Sequence, residues 1–261
     1  MDFRGIAFGS AVAVAAAFAI TQPVFAQTAT DAPELSRPAT GAQPLMLFGT
    51  RQGEAAYDAD PYGGNPFASA VVAALKDGGD DGAFAIEVTT GELSGGYQIA
   101  DASQLGTLTL RLPAGQSASA LVVVFADYGD MAGLPSLPGA AFDAMRVASA
   151  LTEAGYSVTL ALPRTAADYR TAVAEFSSDS ANYDRALIYT TGHGISPDGY
   201  AFLLPPEIDT LANPGPGDAI AMDEMGQGLK AKAANLLLYA GCREDLMPHE
   251  AARAVQTRRL R

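Results

Sequence analysis

The sequence predicts an α/β fold built on a mostly parallel sheet covered by helices on both faces. Three observations predict it. Apolar runs of strand length recur at 121–126, 186–189 and 236–240 without polar alternation, as strands buried on both faces require. Segments with apolar residues at helical spacing lie between them. Glycine, proline and small polar residues mark the joins. Continuous strands alternating with amphipathic helices bury both surfaces of a sheet in a layered sandwich.

The front of the chain carries Arg4, an apolar run over 5–20 and Val24-Phe25-Ala26, which together read as a secretory signal peptide over 1–26. The run is shorter than the roughly 20 strongly apolar residues of a membrane span. A mature, periplasmic or secreted protein beginning near Gln27 is therefore expected, with no membrane attachment after cleavage. Residues 27–43, with Pro33 and Pro38, read as a disordered lead-in. A strand is expected over 45–48 and a loop over 49–64. Asn65 then caps a helix with Pro66 in its first turn and Phe67, Val71, Ala74 and Leu75 on one face. Short strands are expected over 84–88 and 108–110. A polar break over 113–119, with a linker at 114–119, separates this segment (44–113) from the one over 120–248.

The second segment opens with a strand over 121–126 and a helix over 139–154, where Phe142, Met145 and Leu151 recur at helical spacing. A strand over 157–162 leads to a helix with Tyr169, Val173 and Phe176 at i, i+4 and i+7. Strand 185–190, a hairpin around Asp198-Gly199, a helix over 222–231 and strand 235–240 complete the alternation. A basic tail over 249–261 ends the chain.

The net charge of −13 argues against nucleic acid or anionic lipid as a partner. One cysteine excludes an internal disulfide, and two histidines do not support a structural zinc site. In an oxidising compartment an unpaired thiol is a liability unless it is buried or used. That thiol, Cys242, follows strand 235–240, and His193 follows strand 185–190. An open parallel sheet brings such strand ends to one edge, where a nucleophile and its base meet. His249, in Pro248-His249-Glu250, reads as a surface residue.

The run Thr191-Gly192-His193-Gly194, with Gly241-Cys242-Arg243 following it, resembles the histidine and cysteine turns of the caspase and metacaspase clan of cysteine peptidases. The stretch from Ala120 to Arg243, with Leu121-Val122-Val123-Val124-Phe125, Asp127-Tyr128, Asp143-Ala144 and Ala154-Gly155-Tyr156, is similar to their large subunit throughout. Few residues follow Cys242, yet the front run from Phe48 through Asp58 to Asn65-Pro66-Phe67 and Leu75 looks like the start of the small subunit. The resemblance thus implies a caspase-like three-layer α/β/α sandwich with the small-subunit segment placed before the large one, as in type III metacaspases. Strand 45–48 would then pair in parallel with strand 235–240 and carry the 49–64 loop to the cysteine.

The resemblance also implies roles. Cys242 would be the nucleophile, His193 its base, and the backbone N–H groups of Gly194 and Cys242 the oxyanion donors. Metacaspases place an aspartate two residues before the cysteine, where it binds a basic substrate side chain; here that position is Ala240. Asp143 and Asp58 are the remaining acidic candidates, with Thr191 and Ala240 completing the pocket wall. The implied specificity is for Arg or Lys. Asp198, Glu207, Asp209 and Asp223-Glu224 show no EF-hand spacing, so no cofactor is expected and calcium dependence stays open. Two functions fit: a monomeric endopeptidase acting on peptide or protein substrates, and a catalytically silent caspase-fold module that binds a peptide or partner. Ala240 favours the second; the presence of both His193 and Cys242 favours the first.

Overall fold

The structure, a computed structural model, describes residues 44–77, 82–101, 109–129, 134–208 and 218–244. The signal peptide, the lead-in, Leu108, His249 and the basic tail fall outside the described residues. Eight strands are described: β1 (Pro44–Phe48), β2 (Ala118–Val124), β3 (Ser157–Ala161), β4 (Arg185–Thr191), β5 (Gly194–Ile195), β6 (Phe202–Leu203), β7 (Ile220–Ala221) and β8 (Ala234–Tyr239). Five helices join them: α1 (Pro66–Asp77), α2 (Gly82–Leu93), α3 (Pro138–Glu153), α4 (Ala166–Asp179) and α5 (Met222–Gly228).

The main sheet has the order β1-β8-β4-β2-β3, and every neighbouring pair in it is parallel. Every residue of β2 and β4 is buried, which is why these strands read as unbroken apolar runs. Alternation across the sheet sorts the side chains into two cores. Leu47, Val122, Leu187, Leu236 and Leu238 pack with α1, α2 and α3, whereas Leu121, Val123, Ile188, Leu237 and Tyr239 face α4, α5 and a small antiparallel sheet β5-β6-β7. The result is the expected three-layer sandwich. β1 pairs with β8 in parallel, Leu47 opposite Leu238 and Phe48 opposite Tyr239, as the front strand was expected to do.

Asn65 opens α1 as expected: its Oδ1 accepts the Phe67 N–H at 2.8 Å, satisfying one of the free donors of the first turn. Phe67, Val71 and Leu75 are buried beneath it.

Several expectations are corrected. The strand expected over 84–88 is part of α2, because Ala83, Ile86 and Thr90 are buried at helical spacing while Phe84 is 67% exposed. The alternation of Phe84, Ile86 and Val88 mimicked a strand, but packing against α1 selected the helix. Thr109 and Leu110 form no strand, although Leu110 is buried. Within the 114–119 linker, Ala118 and Ser119 already belong to β2, paired with Arg185 and Ala186. In α3 the buried stripe is Ala140, Asp143, Ala144, Val147, Ala150 and Leu151, while Met145 is 56% exposed. Phe142 is exposed too and lies beneath the Arg146 guanidinium, 5.1 Å from its ring centroid. Small residues let this helix lie close to the sheet, which the larger ones would not. α5 stops at Gly228 rather than at 231, since glycines at 226 and 228 weaken its last turn.

Candidate active site

Parallel strands that leave the sheet at one edge set the site. β4 ends at Thr191 and β8 at Tyr239, so the turns after them, carrying His193 and Cys242, emerge side by side. Both residues line one cavity of about 190 Å³, together with Ala56, Asp58, Asn65, Asp143, Thr191, Ala240 and Glu244. Thr191 and Ala240 are buried in its wall, and the Ala240 N–H donates to Thr190 O at 2.9 Å.

The histidine turn depends on its glycines. Gly192 has φ 155°, and a Cβ there would lie 2.7 Å from the Tyr128 hydroxyl. Tyr128, buried, accepts the His193 N–H at 2.8 Å, donates to Leu204 O at 2.8 Å, and packs edge-on against the imidazole at 4.6 Å. His193 Nε2 is 2.8 Å from Pro135 O. A carbonyl only accepts, so this nitrogen carries the proton and Nδ1 keeps a free lone pair. Burial lowers the imidazole from its ordinary value, with the Pro135 carbonyl and then Asp58 opposing the shift. The imidazole is neutral at pH 7.

Gly194 opens β5. Leu204 N–H donates to His193 O, which makes Gly194 and Leu203 the non-hydrogen-bonded pair of the ladder. The Gly194 N–H therefore turns away from β6. Gly194 itself is not among the residues lining the cavity.

The cysteine turn is held by the front loop. Gly49 N–H donates to Tyr239 O at 2.7 Å, Gly53 N–H to Arg243 O at 2.8 Å, and Arg243 N–H to Glu54 O at 2.9 Å. Ala56 N–H reaches the Cys242 sulfur at 3.3 Å. Arg243 is buried, with Nη1 2.9 Å from Asp101 Oδ2 and its guanidinium 4.1 Å over the Phe48 ring. The front segment thus closes one side of Cys242. Burial pushes the half-buried thiol up to about 11, partly offset by the Ala56 N–H, with Glu244 and Asp58 adding to the rise. Among the described residues no hydrogen bond joins Cys242 to His193. At neutral pH both are uncharged.

Among the described residues three carboxylates face this cavity, and no lysine or arginine lines it. Asp143 is buried and already engaged: Oδ2 accepts the Asn65 N–H at 2.7 Å, and Oδ1 accepts Arg146 Nη2 at 2.8 Å. Burial nonetheless raises its carboxyl, with Asn65 and Arg146 pulling it back. Arg146, one helical turn along α3, pairs with it. Asp58 is exposed at the rim on the loop opposite His193, and crowding there raises its carboxyl while His193 lowers it. Buried Gln98 holds that loop closed, accepting the Tyr57 N–H and donating to Gly49 O, each at 2.8 Å. Glu244 is half-buried, its carboxyl raised by burial alone.

Of the calcium candidates, Asp209 and the Asp198 side chain lie outside the described residues, and Glu207 accepts the Ala166 N–H in the first turn of α4. Among the described residues no group of three or more His, Cys, Asp or Glu is gathered closely enough to hold a metal ion.

Sequence reasoning assigned no role to Tyr128, Pro135, Ala56, Tyr239 or Glu244. The tyrosines had a signal: each ends or follows an apolar strand, where a buried hydroxyl has to find a partner. Pro135 and Ala56 act through backbone atoms and had none.

A parallel sheet sandwiched by helices, with a histidine and a cysteine opening onto one cavity at its carboxyl edge, defines a caspase-like α/β protein. Residues 117–259 match the family model described as a caspase domain; this is more than half of the chain, and the chain belongs to that family of cysteine peptidases. No curated protein matches the chain.

Proposed function

We propose that this chain is an exported, monomeric, metacaspase-like cysteine endopeptidase that uses a His193/Cys242 dyad to cleave after Arg or Lys in peptide or protein substrates. One observation carries the reading: His193 and Cys242 line the same cavity while the Pro135 carbonyl holds the imidazole proton on Nε2, away from a free Nδ1. Export rests on the signal-like residues 1–26. The permuted order rests on β1, which precedes the caspase-domain match and yet supplies the strand beside β8.

The chemistry follows from the protonation states. Because the thiol is protonated at neutral pH, Nδ1 of His193 takes its proton as the sulfur attacks the scissile carbonyl carbon. The carbonyl π electrons move to oxygen, which accepts the Gly194 and Cys242 N–H groups. Collapse breaks the C–N bond, and the leaving amine takes the proton from His193. Water, deprotonated by the same nitrogen, then hydrolyses the thioester and returns the thiol.

Charge in the cavity supports a basic substrate side chain. Asp143 is neutralised by Arg146, whereas among the described residues the carboxylates of Asp58 and Glu244 have no hydrogen-bond or ion-pair partner. Recognition is therefore assigned to Asp58 and Glu244, with Asp143 bracing the Asn65 end of the loop.

Incubating the purified mature protein with arginine, lysine and aspartate reporter peptides tests this reading. Cleavage after Arg and Lys is expected, falling by a factor of about a thousand or more in Cys242→Ala and His193→Ala. A wild-type protein inert to all three reporters but able to bind peptides would leave the silent module in its place.

A further inference from the structure

We propose that Tyr239 is a positioning residue for the oxyanion donors, its phenol acting as a spacer between the Gly194 turn and the Gly241–Cys242 peptide. The inference rests on the peptidase reading above.

Tyr239 is the last residue of β8, three before the nucleophile, and is fully buried. Strand alternation turns it to the face opposite Leu238, beneath the small β5-β6-β7 sheet. Its ring is fixed edge-on against Phe48 at 6.2 Å, and Phe48 in turn lies under the Arg243 guanidinium. The hydroxyl lies 3.3 Å from both Cys242 O and Phe202 O. One phenol thus spans the cysteine turn and the strand that pairs with Gly194.

The space around that hydroxyl is more telling than its bonds. A Cβ on Gly194 would collide with the Tyr239 hydroxyl and stand only 2.8 Å from Cys242 O. A Cβ on Gly241 would collide with the same hydroxyl and lie 2.5 Å from Cζ of the ring. Both glycine backbones are therefore packed directly against one rigid side chain. Gly194 carries one proposed donor, and the Gly241–Cys242 peptide carries the other. Two N–H groups that must point at one oxygen have to be held at a fixed separation, because catalysis by such donors depends on their being set before the charge develops. The Tyr239 oxygen sets that separation. Desolvation raises its phenol far above the ordinary value, so it is a protonated donor at neutral pH.

Removing only the hydroxyl tests this in the mature protein. Tyr239→Phe should lower kcat about tenfold, less than the loss of a donor itself, and weaken inhibition by a peptide aldehyde by a similar factor. The thiol adds across the aldehyde carbonyl, and the resulting oxygen occupies the oxyanion position. KM and the rate at which iodoacetamide alkylates Cys242 should stay within about twofold; neither needs the oxyanion donors, whereas general loosening of the site would move both. If Tyr239→Phe loses the native fold, Phe48→Leu, which withdraws the ring that fixes the phenol edge-on, should lower kcat and aldehyde affinity together in the same direction. Unchanged kcat and aldehyde affinity in an active protein would overturn this inference alone. A wild type inert to every reporter would overturn the peptidase reading and this inference with it.

Discussion

His193 Nε2 lies 2.8 Å from the carbonyl oxygen of Pro135, and this bond determines which nitrogen of the imidazole carries the proton. The protonated nitrogen is committed to the carbonyl, so Nδ1 keeps a free lone pair. Because Pro135 lies in the loop before α3, the imidazole is oriented by an element that sequence spacing does not connect to it.

The pH dependence follows from the two shifts. The imidazole is lowered below 6.5 by burial, so it is neutral and competent above that value and loses its lone pair only as pH falls through its lowered value. Accordingly kcat/KM should rise with pH, reach half its maximum below 6.5 and stay level through neutrality. Alkylation of free Cys242 by iodoacetamide should keep accelerating towards pH 11, because the thiol is pushed up to about 11. An alkylation rate already level at pH 7 would mean a preformed thiolate–imidazolium pair and would contradict this geometry.

Specificity should follow free carboxylates rather than buried ones. Asp58→Asn and Glu244→Gln should each reduce kcat/KM for arginine reporters about tenfold, the scale of one charge-assisted hydrogen bond. Asp143→Asn, whose parent carboxylate already serves Arg146 and Asn65, should act mainly on stability. A larger specificity loss in Asp143→Asn than in either of the others would reverse the assignment.

Arg243 should stabilise the fold by joining its two segments. Arg243→Met removes the ion pair to Asp101 and the contact over Phe48, leaving a partly buried carboxylate behind. The expected loss is about 3 kcal/mol in urea unfolding, with reporter cleavage falling because the front loop no longer holds Ala56 against Cys242. A shift within about 0.5 kcal/mol, the range of an ordinary surface substitution, would show that the front segment is held by β1 alone.

Much of the fold was legible because its physics is local. β2, β4 and β8 read as strands since both their faces are buried, and Asn65-Pro66 read as a helix start since a cap and a fixed φ suffice. α2 was not legible, because Phe84, Ile86 and Val88 carry strand-like alternation and only the surface of α1 turns Ile86 inward and leaves Phe84 in solvent. In α3, the larger Phe142 and Met145 drew attention from the small residues that pack against the sheet.

By itself the sequence determined the class of sheet and the strand ends that carry His193 and Cys242. These follow from residue type and short spacing. Only the tertiary structure decided that Arg146 neutralises Asp143, that Glu244 enters the cavity, that Pro135 and Ala56 contribute backbone atoms, and that one tyrosine hydroxyl separates two glycine turns. The Arg146–Asp143 pair spans one turn of α3; the others depend on distances that exist only once the strands have taken their order in the sheet.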